Sequence, residues 1–124
     1  MLWVVAGLIQ RDGKYLIAQR PPGGWMEGYW EFPGGKVEEN EDPRAALARE
    51  VEEEIGVEIE VGKIEETLFH RYPDRSVVLL FFQCRIAKGD PTPKIGQSLR
   101  WASPSEMRGM EFLPADLPLV ERLS

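Results

Sequence analysis

The hydrophobic and polar positions fall into two kinds of run, separated by short glycine- and proline-rich breaks. Leu2–Gln10 and Tyr15–Arg20 are apolar runs of strand length on either side of Arg11-Asp12-Gly13-Lys14, and the Asp-Gly pair predicts a hairpin turn between them. Pro21-Pro22-Gly23-Gly24 opens a loop reaching to about Gly28, and Trp30-Glu31-Phe32 reads as a short strand. Val57–Val61 and Ile64–Arg71 read as extended, and Tyr72-Pro73-Asp74-Arg75 as a turn. Ser76–Ile86, built around Val77-Val78-Leu79-Leu80-Phe81-Phe82, reads as a buried strand. A loop over Lys88–Gly96 leads to a strand at Leu99–Ala102, a short helix from Ser103-Pro104-Ser105-Glu106 and a terminal helix over Ala115–Leu123. Many strands with one strong helix give an α+β class, with a mixed sheet carrying helices on its faces.

The strong helix is Pro43–Ile55. Asp42 stands where an N-cap belongs, Pro43 suits the first helical position, and Gly56 suits the stop. Leu47, Val51 and Ile55 recur every four residues as its apolar stripe. Beside that stripe, Glu50, Glu53 and Glu54 share an arc of roughly 100° on the helical wheel. Like charges at these spacings cost roughly 0.2–0.5 kcal/mol each, and carboxylates in a last turn oppose the helix dipole. Folding alone does not ask for this; it fits either a solvated acidic face or a centre that collects a hard divalent cation such as magnesium.

Charge sharpens the picture. The 124 residues carry a net charge of −6. Glu38–Glu54 holds eight acids against two bases, so the whole excess sits there and the rest of the chain is neutral. A nucleic-acid polymer as partner is thereby disfavoured, since it needs a basic stripe. One cysteine, Cys84, rules out a disulfide framework, and one histidine, His70, rules out a histidine-built zinc site. Gly35-Lys36 is not a phosphate-binding P-loop, because Trp30 stands where its first glycine belongs. The opening apolar run is too short to span a bilayer and lacks the features of a signal peptide. A single domain over residues 1–124 is expected, cytoplasmic and without a membrane partner.

From Gly35 to Val57 the chain reads GKVEENEDPRAALAREVEEEIGV. Gly35, Glu41, Arg49, Glu50, Val51, Glu53, Glu54, Gly56 and Val57 occupy every defining position of the Nudix hydrolase signature, and the chain resembles that family. The likeness is to the MutT-type nucleoside triphosphate pyrophosphohydrolases, including the 8-oxo-dGTP and CTP branches, and it extends through Ile17–Pro21, Trp30–Glu38, Tyr72–Arg75, Trp101 and Leu113–Leu119. The resemblance implies an α/β/α sandwich around a mixed sheet. It implies a monomeric enzyme that sanitises the nucleotide pool by taking triphosphates to monophosphate and pyrophosphate, with Mg2+ as cofactor and Mn2+ as a substitute. Glu50, Glu53 and Glu54 with the Gly34 carbonyl would hold metal, and Arg49 would orient the glutamates. Glu41 would tie the preceding loop to the helix. Arg20, Glu31, Phe32, Pro33, Gly34 and Asp116 would contact the nucleotide. Other Nudix substrates, such as ADP-ribose, and a weakly catalytic nucleotide-binding module are the alternatives.

Two positions depart from the pattern. MutT-like enzymes often carry a glutamate six residues before the tryptophan matching Trp101, and Ile95 stands there; a helix glutamate, Glu50 or Glu53, would then serve as base. Asp116 stands where MutT has an asparagine that reads the base. Ionised, it accepts only and suits an exocyclic amino group; buried and protonated, it also donates; alternatively it caps the last helix. Trp3, Trp25, Trp30 and Trp101 could stack a base, with core or loop packing the default for each, and Trp3 aligns with a base-pocket residue of the family. Arg20 suits either phosphate oxygens or an ion pair. His70 reads as structural and Cys84 as a buried thiol.

Overall fold

The computed structural model describes residues 1–123, and its architecture is a mixed sheet between two helical layers. In chain order the elements are β1 (Leu2–Arg11), β2 (Lys14–Gln19), β3 (Trp30–Glu31), β4 (Gly34–Lys36), α1 (Pro43–Ile55), β5 (Glu58–Tyr72), β6 (Arg75–Lys88), β7 (Ser98–Ala102), α2 (Pro104–Met107), a 3-10 turn (Pro114–Asp116) and α3 (Leu117–Arg122). The strands run in the order β3-β2-β1-β6-β5, with β4 added beside β1 and β7 beside β2. Among the strands of the described residues β1 and β6 pair in parallel, from Leu2↔Val77 to Ile9↔Cys84, and the other strand pairings are antiparallel; an isolated parallel bridge joins Trp30 to Phe112.

Strand alternation sorts the core into two layers. Val5 and Ile9 on β1 and Phe82 and Cys84 on β6 face Ala46, Leu47, Val51 and Ile55 of α1. Ala6 and Leu8, with Val77, Leu79 and Phe81, face Met107, Phe112, Leu119 and Val120 from the C-terminal segments. Leu47 and Val51 are fully buried, so truncating Leu47 to alanine costs about 2–5 kcal/mol. The helix ends are satisfied as the sequence reads. Asp42 Oδ1 accepts from the Arg44 N–H at 2.7 Å, and Gly56 at φ 76° donates its N–H to Glu52 O at 3.0 Å. Among the described residues no helix is long and apolar enough to cross a membrane.

The Tyr72-Pro73-Asp74-Arg75 turn is as expected, with Tyr72 paired to Arg75 across it. Three elements differ from expectation. Gly34–Lys36 is a strand, and Phe32 lies beyond β3. The two extended runs after α1 are one strand, β5, whose Gly62-Lys63 break is absorbed by register shifts against β6. The expected terminal helix begins as the 3-10 turn, with α3 confined to Leu117–Arg122.

Candidate active site

One cavity of about 590 Å³ lies between β1, β4, the last turns of α1 and the C-terminal segments. The helix stripe that buries Leu47, Val51 and Ile55 fixes the roll of α1, and this roll aims Glu50 and Glu54 into the cavity. The two sit one turn apart. Burial first, then the hydrogen bond and charge of Glu50, push the Glu54 carboxyl up to about 9. The two carboxyls form an oxygen donor pair whose repulsion a divalent cation would relieve.

Opposite them, β4 comes close because it carries no side chains at Gly34 and Gly35. A Cβ on Gly35 would collide with the Glu50 carboxylate, and one on Gly34 with Val5 O. Gly7 N–H donates to Pro33 O at 2.8 Å and Val37 N–H donates to Trp3 O at 2.9 Å. Ladder alternation then makes Val5–Gly35 the bonded pair and turns the Gly34 and Lys36 carbonyls away from β1. Lys36 O accepts from Arg49 Nη2 at 3.3 Å, so the Gly34 carbonyl faces the α1 side. Among the described residues no group of three or more His, Cys, Asp or Glu side chains is gathered into a ready-made cage. The converging donors are Glu50, Glu54 and the Gly34 carbonyl, all oxygen, and they suit a hard cation that keeps some of its waters.

Arg49 and Glu53 do not line the cavity. Arg49 forks onto Glu41 at 2.8 and 2.9 Å, reaches Glu50 Oε1 at 2.9 Å and touches Glu53 at 3.4 Å. Arg49 first, and then the Glu38 N–H that Glu41 accepts, hold the Glu41 carboxyl down to about 2. The loop before the helix is thus tied to Arg49, and Arg49 to Glu50. Glu53 is largely exposed, its side chain at 58%.

At the other end of the cavity, Asp116 is 3% exposed and accepts from the Phe32 N–H at 3.3 Å. Burial first, and the charge of Glu31 second, push its carboxyl up to about 8. It makes no capping bond to α3, which overturns the helix-cap reading. A shift in this direction favours the neutral carboxyl, which offers a donor as well as an acceptor, over the ionised one. Arg20 lines the cavity, with its Nη1 on both Glu31 oxygens (3.0 and 3.2 Å) and its Nε donating to Trp25 O at 2.7 Å; its ion-pair role is realised within the site. Burial raises the Glu31 pKa and Arg20 only partly offsets it. Phe32 packs edge-on to Phe81, and Pro33 lines the floor.

Trp3 is a correction. It is 53% exposed and off the cavity, because strand alternation gives the inward positions to its neighbours Leu2 and Val4. Trp25, one of the four tryptophans that could stack a base, lines the wall, and so do Tyr72, Arg75 and Gln97, to which the sequence assigns no role in the site. Gln97, 6% exposed, donates to Glu54 O at 2.8 Å and accepts from the Ile95 N–H at 3.0 Å. With Thr92 N–H on Ile55 O and Lys94 N–H on Glu54 O, it seats the loop on the open carbonyls of α1. Ile95 itself lines the rim, 53% exposed.

A family model described as NUDIX domain matches residues 4–122. The chain is 41% identical over 121 residues to a CTP pyrophosphohydrolase of Escherichia coli, covering 98% of this chain and 90% of that relative. It is 44% identical over 96 residues to an 8-oxo-dGTP diphosphatase of Proteus vulgaris, covering 77% and 86% respectively. The crystal structure of a MutT protein from Methanosarcina mazei superposes at a TM-score of 0.87 with 28% identity, covering 98% of this chain and 91% of that one.

Proposed function

The chain belongs to the Nudix family, and we propose that it is a magnesium-dependent pyrophosphohydrolase that takes nucleoside triphosphates to monophosphate and pyrophosphate. The observation that carries this reading is the Glu50–Glu54 pair at one end of a cavity whose other end is the buried carboxyl of Asp116. One end suits a metal-bound phosphate chain and the other a base edge.

Nudix hydrolases are generally divalent-metal dependent, and Glu50, Glu54 and the Gly34 carbonyl are the donors that would hold Mg2+, with Mn2+ as a substitute. Glu53 is an outer partner. When bound, such a cation neutralises charge on the phosphate chain and makes a coordinated water more acidic. The chain's own residues do the rest. Arg49 fixes the direction of Glu50 through a charge-assisted bond. Of the two bases considered, Glu50 faces the cavity and Glu53 does not, which favours Glu50 as proton acceptor. Arg20 holds Glu31 and the Trp25 carbonyl, and so shapes the wall.

Asp116, protonated, presents an O–H beside a carbonyl oxygen. That pair matches a base edge with an acceptor next to a donor, as cytosine N3/N4 has, and equally an edge with a carbonyl next to a ring N–H. Both relatives' names are therefore compatible with one carboxyl. The reading has the enzyme act on the free nucleotide pool, as a cytoplasmic monomer.

The test is phosphate release in the presence of added pyrophosphatase, with and without magnesium, over 8-oxo-dGTP, dGTP, CTP, dCTP and ADP-ribose. Metal-dependent release from triphosphates is expected. Release that persists in excess chelator, or binding without release, would refute the reading.

A further inference from the structure

The loop between β2 and β3 is closed at its base, where the Arg20 N–H donates to Tyr29 O at 2.9 Å and the Gly28 N–H to Arg20 O at 3.1 Å. Its tip is folded back with Gly23, Met26 and Gly28 at positive φ; for Met26, at 55°, this is a strained conformation of the kind held where the surroundings demand it. The consequence is that Trp25 leaves its own loop and reaches the far wall of the cavity. Its indole stands edge-on to Tyr72 with centroids 5.1 Å apart, the Arg75 guanidinium lies 4.4 Å from the ring centre, and that of Arg20 lies 5.3 Å away. Arg75 Nε is buried without a hydrogen-bond partner, so the indole face is the compensation this cation has there. The ring is 38% exposed, open on the cavity side rather than sunk in the core.

Tyr72 links this indole to the base end of the cavity. Its hydroxyl accepts from the Ala115 N–H at 3.3 Å, and Ala115 is the neighbour of Asp116. Asp116, Tyr72 and Trp25 therefore follow one another along a single wall. A base paired to Asp116 runs along that wall, and a two-ring base extends further toward the indole than a one-ring base.

We propose that Trp25 contacts the base of the bound nucleotide and favours purines over pyrimidines, with Arg75 and Tyr72 holding its ring in place. The inference rests on the functional reading above.

The probes are GMP and CMP, with inorganic pyrophosphate as the baseless control, titrated calorimetrically into the wild type, Trp25→Ala and Trp25→Phe in magnesium. Base–aromatic stacking is sequence-tolerant and its loss costs about fivefold to a hundredfold in affinity. Trp25→Ala should weaken GMP by that factor, weaken CMP less, and leave pyrophosphate unmoved; Trp25→Phe should recover most of the GMP affinity. GMP affinity unmoved in Trp25→Ala, with triphosphate hydrolysis intact in the wild type, overturns the role of Trp25 alone. An equal loss for all three probes overturns it too, by making the residue merely structural. A wild type that neither hydrolyses triphosphates nor binds GMP overturns both this inference and the functional reading.

Discussion

Replacing Asp116 with asparagine should make the chain more stable, and increasingly so as the pH rises. The carboxyl has an ordinary value of 3.8 and is pushed up to about 8 in the fold, by burial first and by Glu31 second. Between those two values the folded state keeps a proton that the unfolded chain has released. Stability therefore falls as pH rises through this window, by about 1.4 kcal/mol per pH unit from this group. From pH 5 to pH 8 the loss accumulates to roughly 4 kcal/mol, a large share of the 5–15 kcal/mol typical of a domain. Asparagine is nearly isosteric with the neutral acid, and its Oδ1 can still accept from the Phe32 N–H. It has no proton to lose in this range. Urea denaturation of both proteins at pH 5, 6, 7 and 8, in chelator and without nucleotide, reads the difference directly. The curves should lie close at pH 5 and separate steadily by pH 8. A separation that stays constant across the range would mean that Asp116 is ionised in the fold and presents only acceptors to the base.

Glu54→Gln should lower kcat by several orders of magnitude yet leave apo stability unchanged or raised, the gain growing toward pH 9 because the same sign applies to a carboxyl pushed up to about 9; wild-type turnover in this variant would remove Glu54 from the site. Ile95→Glu should raise kcat less than tenfold on the proposal that Glu50 is the base; a gain in the 10²–10⁴ range typical of a newly positioned base would show that the wild type lacks one. Gly35→Ala should displace the Glu50 carboxylate, cutting activity and Mn2+ affinity together while circular dichroism stays that of the wild type; full activity would contradict the close approach of β4 to α1.

Local signals made α1 legible from sequence. Asp42, Pro43, Gly56 and the four-residue stripe each act within a turn of the residues they control, and so the direction of Glu50 was readable too. Gly34–Lys36 carried no such signal. Its pairing is imposed by β1, and two glycines and a lysine have no pattern that announces a strand. The Gly62-Lys63 break misled for the converse reason, since a bulge absorbs what a local reading takes as an end. The sequence left both Trp3 and Trp25 as candidates to stack a base, because alignment fixes a position whereas strand alternation and loop path decide the side, and of the two only Trp25 faces the cavity. Arg75 and Gln97 come to the cavity through tertiary contacts, and only the fold brings together residues so far apart in sequence.

The parallel pairing of β1 with β6 bears on how the chain is made. Each β1 residue from Leu2 to Ile9 meets a partner about 75 residues later, at Val77 to Cys84. The β1–β2 hairpin offers early registration only at Gln10 and Arg11. During synthesis β4 can pair with the first strand at Val4–Ala6, but the other edge of that strand waits until β6 has emerged. Such long-range closure is entropically late and slows folding relative to a sheet of neighbouring hairpins. The nascent chain thus carries an apolar strand well ahead of its partner, and that window of vulnerability closes only when Phe81 and Phe82 arrive.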